Sequence, residues 1–229
     1  MSYFNIVSQS DESTVVAEYT PQSQRSEAYQ SEADLENEFI RLLCELGYER
    51  LAIHKEADLI ANLRTQLEKA GVTSATLDLG GDVFVMGKKS DGSDWRIAVK
   101  DPGDTESYLG IVSASDAFIV TSGVYERYFE ENGVRYHHIL DPKTGCPAES
   151  GLVSVTVLCK NGAWADALST ACFVLGTDKA LALRDGLAAQ GVAFELVFVT
   201  DDGRVLYTGG LAAAFTPNEE SGYTYESLA

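Results

Sequence analysis

The sequence predicts an α+β fold, a mixed or antiparallel sheet with helices packed on it, preceded by a partly disordered helical leader. Three observations predict it. From about residue 72 onward, short segments of alternating apolar and polar residues, such as "LVSVTVLCK" at 152–160, are joined by tight turns. Between them lie helical-period segments closed by glycine, such as "TDKALALRDGLAAQG" at 177–191. Before residue 72 the composition differs: residues 7–33 are rich in Ser, Gln and Glu, and the helical patterns stand alone.

Taken in order, the first thirty residues have too little apolar content to offset the entropy of ordering, which predicts poor order there. "SEADLENEFIRLLCELGY" opens with Ser31 and Asp34, the spacing of a capping box, and carries Leu35, Phe39, Leu42 and Leu43 at helical intervals. "EADLIANLRTQLEKAG" predicts a second helix ending at Gly71. "ATLDLGGDVFVMG" reads as strand, Gly-Gly turn and strand, and "DWRIAVKDP" as a strand stopped by proline. "SDAFIVTSG" is a further strand, "VYERYF" an aromatic helical turn, and "GVRYHHIL" a strand entering the Asp-Pro turn. After "LVSVTVLCK" comes the helix "AWADALSTACFVLG", then the amphipathic helix 177–191. "VAFELVFVT", the turn "DDGR" and "VLYTGG" make a closing hairpin.

Composition excludes several classes of function. With 45% hydrophobic and 23% charged residues, the 229-residue chain is of ordinary globular type. A formal charge of −18 argues against nucleic-acid partners, whose phosphates it would repel. A phosphorylated ligand would need a local cation, commonly Mg²⁺. No apolar run reaches the ~20 residues of a membrane span, and "MSYFNIVSQSDEST" lacks the basic start and apolar core of a signal peptide. These features predict a cytoplasmic location. Cys44, Cys146, Cys159 and Cys172 have no zinc-like spacing and read as reduced thiols.

Two stretches carry candidate chemistry. In "WADALSTACF", Asp166 and Thr170 are four apart on a helix and share a face, where a carboxylate and a hydroxyl suit a hard cation such as Mg²⁺. The same spacing also suits an Asp placed for the helix dipole and a Thr bonded back to a carbonyl. In "RYHHILDPKTGCP" two of the three histidines precede an Asp-Pro, Thr-Gly turn. Strand alternation turns His137 and His138 to opposite sides, so one can serve structure and the other accept a proton from a hydroxyl. Gly80 and Gly81 in "LGGDV" permit close backbone approach, although the segment is not a dinucleotide fingerprint. Ser122 and Gly123 in "TSGVYERYF" suit a helix N-terminus, as a phosphate cradle or a simple N-cap.

Taken together and in order, "LGGDVFVMG", "WRIAVKDP", "SGVYERYF", "RYHHILDPKTGCP", "SVTVLC" and "ADALSTACFVLG" resemble the ApbE family, from about residue 56 to 229. The resemblance implies an FAD:protein FMN transferase. Such an enzyme takes FAD as substrate, uses Mg²⁺, and moves FMN onto a Thr or Ser hydroxyl of a flavin-accepting target protein with release of AMP. It implies that Asp166 and Thr170 hold the metal and that His138 is the base. It further implies that Asp141 and Thr144 shape the turn at the nucleotide, Asp141 within the catalytic set. The Ile139–Leu140 backbone would lie near the flavin, and Gly80, Gly81, Asp82, Ser122 and Gly123 would contact the cofactor.

There are departures from the family. Its N-terminal half and its Gly-x-x-Ala-Lys-Gly segment have no counterpart, the corresponding region reading "HKEADLIANLRTQLEKAG", and the third metal ligand is unassigned. The export or lipoprotein signals of many members are also missing. Residues 1–70, through "SYFNIVSQSDESTVVAEYTPQSQRSEAYQ" and "ADLIANLRTQLEK", instead resemble the start of the motor/nuclease subunit of type I restriction enzymes. They carry neither that family's nuclease core nor its helicase motifs. This divides the chain into a leader, 1–55, and an ApbE-like domain, 56–229. Two alternatives to transfer stand beside it: a flavin-nucleotide-binding remnant without catalysis, and a restriction-subunit fragment acting as an interaction module.

Overall fold

The computed structural model describes residues 4–9, 15–19, 31–51 and 56–228. They fall into two compact units, Met1–Ala52 and Ile53–Ala229. In the first unit β1 (Phe4–Gln9) and β2 (Val15–Tyr19) pair antiparallel. The rest of the stretch expected to be poorly ordered lies outside the described residues. Helix α1 (Glu32–Glu45) starts at a true capping box, in which Ser31 Oγ accepts from Asp34 N and Asp34 Oδ2 accepts from Ser31 N. Its stripe of Leu35, Phe39 and Leu42 is exposed.

The second unit opens with α2 (Glu56–Lys69), then β3 (Ala75–Asp78), β4 (Asp82–Met86), β5 (Trp95–Lys100), β6 (Tyr108–Ala114) and β7 (Ala117–Gly123). A small hairpin follows, β8 (Tyr128–Glu131) and β9 (Val134–His137), and then β10 (Leu152–Cys159), α3 (Gly162–Leu175) and α4 (Thr177–Ala188). β11 (Phe194–Thr200), β12 (Arg204–Thr208), β13 (Phe215–Pro217) and β14 (Thr224–Leu228) complete it.

Alternation along the strands explains the layering. In β4, β7 and β11, Phe84, Met86, Phe118, Val120, Phe194, Leu196 and Phe198 form one buried cluster with Leu168, Cys172 and Phe173 of α3. The residues between them, Val85, Ala117, Ile119, Val197 and Val199, form another with Val99, Leu109, Val112 and Phe215. Both faces of one sheet are therefore covered, by helices on one side and by a small second sheet on the other. The main sheet has seven strands in the order β14-β12-β11-β10-β7-β4-β3. β14 runs parallel to β12, and every other neighbouring pair is antiparallel. The second sheet is β13-β6-β5, and α3 packs on β7 and β10. The α+β class with a mixed sheet is thus what the chain forms.

Two local expectations are corrected. "VYERYF" is not a helical turn: Tyr128 onward is strand β8, paired antiparallel with β9. Asn132 and Gly133 turn the chain with φ of 53° and 78°, the left-handed pair that an Asn-Gly hairpin requires, and this local signal outweighs the aromatic spacing. Ser122 and Gly123 do not open a helix but end β7, since pairing of Ser122 with Val155 on β10 holds them extended. Among the described residues no helix is long and apolar enough to cross a membrane, and all four cysteines are free, with Cys159 and Cys172 buried.

Candidate functional site

The β3–β4 turn builds one wall. Asp78 Oδ1 accepts from Gly80 N (3.1 Å) and Gly81 N (2.9 Å), closing a turn in which both glycines hold positive φ, 83° and 108°. A side chain at either position would be strained, and the bare backbone leaves that wall open. The turn delivers Asp82 to the start of β4, opposite Val120 of β7. Helix α3 supplies the facing groups. Its N-cap is Asn161, whose Oδ1 accepts from Trp164 N (2.8 Å), and Asp166 and Thr170 follow on one face. Thr170 does not bond back to a carbonyl. Its hydroxyl lies 3.0 Å from Ser122 Oγ, which also lies 2.7 Å from Ser169 Oγ.

Asp78, Gly80, Gly81, Asp82, Ser122, Asp166 and Thr170 line a cleft of about 330 Å³, together with Gly123, Lys100, Tyr125, Glu126, Arg127 and His138. Burial pushes the Asp82 carboxyl above its ordinary value, and the charges of Asp166 and then Asp78 push it further. The Tyr125 hydroxyl is raised to about 12, chiefly by burial. Asp78, Asp82 and Asp166 thus bring like charge together at the cleft, beside the hydroxyls of Ser122 and Thr170. Among the described residues no three His, Cys, Asp or Glu side chains form a metal-holding group by themselves. A cation here would complete its shell with hydroxyl, backbone or ligand oxygens.

The two histidines separate as alternation requires. His138 donates its main-chain N–H to Arg127 O (3.0 Å), and its Nδ1 lies 3.1 Å from the same oxygen. A carbonyl only accepts, so Nδ1 carries the hydrogen and Nε2 is the basic nitrogen of a ring on the cleft wall. His137 packs edge-on against Phe173, centroids 5.6 Å apart, and burial lowers its pKa.

The structure brings together Gly80, Gly81, Asp82, Ser122, Gly123, His138, Asp166 and Thr170. It leaves Ile139, Leu140, Asp141 and Thr144 off the cleft wall. Ile139 is buried in the core, and Leu140 is exposed and bridges to Pro147. Asp141 Oδ1 accepts from Lys143 N (2.8 Å) and Thr144 Oγ1 accepts from Cys146 N (3.2 Å), so both build the turn that follows His138. Sequence reasoning missed Asp78, Lys100, Tyr125 and Arg127. A charged residue at a strand end, as in "AVK" and "YER", is the signal that could have found the two cations. It also missed an adjoining apolar pocket, lined by Leu59, Leu63, Leu77, Leu79, Phe84 and Phe118, that shares Asp82 and Asp166 with the cleft.

Fold and site define an α+β protein with an acidic, hydroxyl-bearing cleft, lined in part by β4 and β7 of its main sheet, and an oriented histidine on the cleft wall. The chain belongs to the ApbE family, whose sequence model matches residues 56–193. It is 39% identical over 164 residues to the FAD:protein FMN transferase of Treponema pallidum, covering 68% of this chain and 43% of the relative. To the enzyme of the same name from Vibrio cholerae it is 39% identical over 138 residues, covering 60% and 40%. The crystal structure of the ApbE protein from Thermotoga maritima superposes with a TM-score of 0.50 at 36% identity, covering 64% of this chain and 43% of that one. The chain thus spans less than half the length of these relatives.

Proposed function

We propose that this chain transfers FMN from FAD to a Thr or Ser hydroxyl of a target protein, with Mg²⁺ and release of AMP, and that residues 56–229 form the transferase domain behind a leader, 1–55. The observation that carries the reading is His138: its Nδ1–H is committed to Arg127 O while its ring stands in the cleft that holds Asp166 and Thr170. Support comes from the relatives, each named an FAD:protein FMN transferase.

In the proposed reaction the target hydroxyl oxygen attacks the FMN phosphorus of FAD. The phosphoanhydride bond to AMP breaks, its electrons leave with AMP, and the hydroxyl proton passes to His138 Nε2. Lys100 and Arg127 offer positive charge to the pyrophosphate from the cleft wall, and the bare backbone at Gly80 and Gly81 lets the ligand approach closely. The adjoining apolar pocket suits the ring system of such a ligand. Asp166 and Thr170, with Asp82 close by, would hold Mg²⁺, which when bound neutralises charge on the pyrophosphate oxygens. The turn built by Asp141 and Thr144 keeps the Ile139–Leu140 backbone in place beside His138.

The test is to incubate the purified chain with FAD, Mg²⁺ and a flavin-accepting protein, and to follow covalent flavin by in-gel fluorescence and intact mass. Flavin on the acceptor's Thr or Ser supports the proposal. An acceptor left unmodified here, yet modified by a longer family member in a parallel tube, overturns it. Saturable FAD binding in that case would select the binding-only alternative.

A further inference from the structure

Three hydroxyls and one carbonyl connect β7 to α3 beneath the cleft, and counting their hydrogens fixes their directions. Ser169, fully buried on α3, has its Oγ 2.9 Å from the main-chain oxygen of Asp166. That oxygen can only accept, so the single hydrogen of Ser169 is spent there. Ser122 Oγ, 2.7 Å from Ser169 Oγ, must then be the donor in their bond. With its own hydrogen spent, Ser122 can only accept at its 3.0 Å contact with Thr170 Oγ1. No other assignment makes all three contacts hydrogen bonds. The relay runs Thr170 O–H to Ser122 O–H to Ser169 O–H to the carbonyl of Asp166.

We infer that Ser122 and Ser169 are positioning residues whose relay holds the Thr170 hydroxyl with its hydrogen turned inward and its lone pairs free toward the cleft. The inference rests on the cation reading of Asp166 and Thr170 and deepens it. A threonine beside carboxylates would otherwise turn its O–H toward them, satisfying the acids itself and opposing a cation. Drawing that hydrogen to Ser122 leaves Thr170 an electron-pair donor and keeps its hydrogen away from the Asp166 carboxyl oxygens. The relay ends on the backbone of Asp166, so the two ligands are tied into one unit.

Two measurements on the full-length chain test this. Neutron diffraction from deuterium-exchanged crystals locates the three deuterons directly: the Thr170 deuteron should point at Ser122, and one pointing into the cleft overturns the inference. Mn²⁺ titration followed by electron paramagnetic resonance reads the consequence. Ser169→Ala, at a fully buried residue that is not itself part of the cleft lining, frees Ser122 to donate to Thr170 and turns the Thr170 hydrogen outward. It should weaken Mn²⁺ roughly 10- to 100-fold, as loss of an outer partner does. Ser122→Ala should do the same and Ser122→Thr should restore binding, with thermal midpoints recorded for each to separate affinity from folding. Wild-type affinity in both alanine variants overturns the inference. Deuterons in the relay pattern with no Mn²⁺ binding by wild type would support the orientation and remove the cation reading instead.

Discussion

Replacing His138 by alanine should remove transfer while leaving fold and FAD binding nearly intact, and the structure supplies the magnitudes. A positioned general base contributes about 10²- to 10⁴-fold, or roughly 3–5.5 kcal/mol of barrier. The stability loss is far smaller. His138 makes two bonds to Arg127 O, and the main-chain one, at 3.0 Å, survives the substitution. Only the Nδ1 bond at 3.1 Å is lost, on an exposed residue, which places the loss at the low end of about 0.5–1.5 kcal/mol. For a unit of this size that is a fall of roughly 1–2 °C in thermal midpoint. His137→Ala should behave oppositely, because it deletes a ring packed on fully buried Phe173. It should lower the midpoint more and leave the rate per folded molecule largely unchanged. The assay is initial rate by flavin fluorescence on the acceptor, with FAD affinity from fluorescence titration and melting curves alongside. If His138→Ala transfers within tenfold of wild type, or if His137→Ala is the variant that loses the rate, the assignment of the base is wrong.

Three further outcomes follow from the same geometry. Asp166→Asn should lower the pKa of Asp82, but only part of the way to its ordinary value, because burial is the larger cause of its elevation; a carboxyl ¹³C titration that does not move would refute the shared charge cluster. Asp116, on the β6–β7 turn, is held below its ordinary pKa first by the Gly87 N–H (3.0 Å) and then by Arg64 of α2. A depressed acid stabilises the fold above its unfolded value of about 3.9 and loses that contribution as pH falls through its folded value. Asp116→Asn, which keeps a residue tolerant of the local φ of 50°, should therefore flatten the acid limb of urea midpoint against pH, and an unchanged limb would count against the pairing. Deleting residues 1–30 should leave the thermal midpoint of the remainder within a few degrees, since the buried side chains from Phe84 to Phe215 all belong to the unit Ile53–Ala229; a larger fall in midpoint or lost solubility would show that the leader packs on it.

What the sequence by itself determined is what local energy dictates. The capping box at Ser31 and Asp34 was legible because its partners lie three residues apart. Asp166 and Thr170 were legible as a pair because helical geometry alone puts them on one face. The opposition of His137 and His138 needed only the two-residue period of a strand, and the Gly80–Gly81 turn needed only the signature of its residues. The "NG" at 132–133 was equally local, and should have overruled the helical reading of the aromatic cluster before it. Other features depended on which strand lies beside which. Ser122 meets Thr170 and Ser169 across nearly fifty residues of sequence, because β7 pairs with β10 and α3 crosses back over both. Lys100 and Arg127 reach one cleft from separate strand ends, and Asp78 joins Asp166 only through the pairing of β4 with β7. Strand order is set by burying both faces of one sheet at once, a term summed over the whole unit, which no window of sequence contains. The residue types of the site could be read along the chain. Which hydroxyl can donate to which was decided by the tertiary structure, because hydrogen-bond direction depends on partners that only the folded chain brings within about 3 Å of one another.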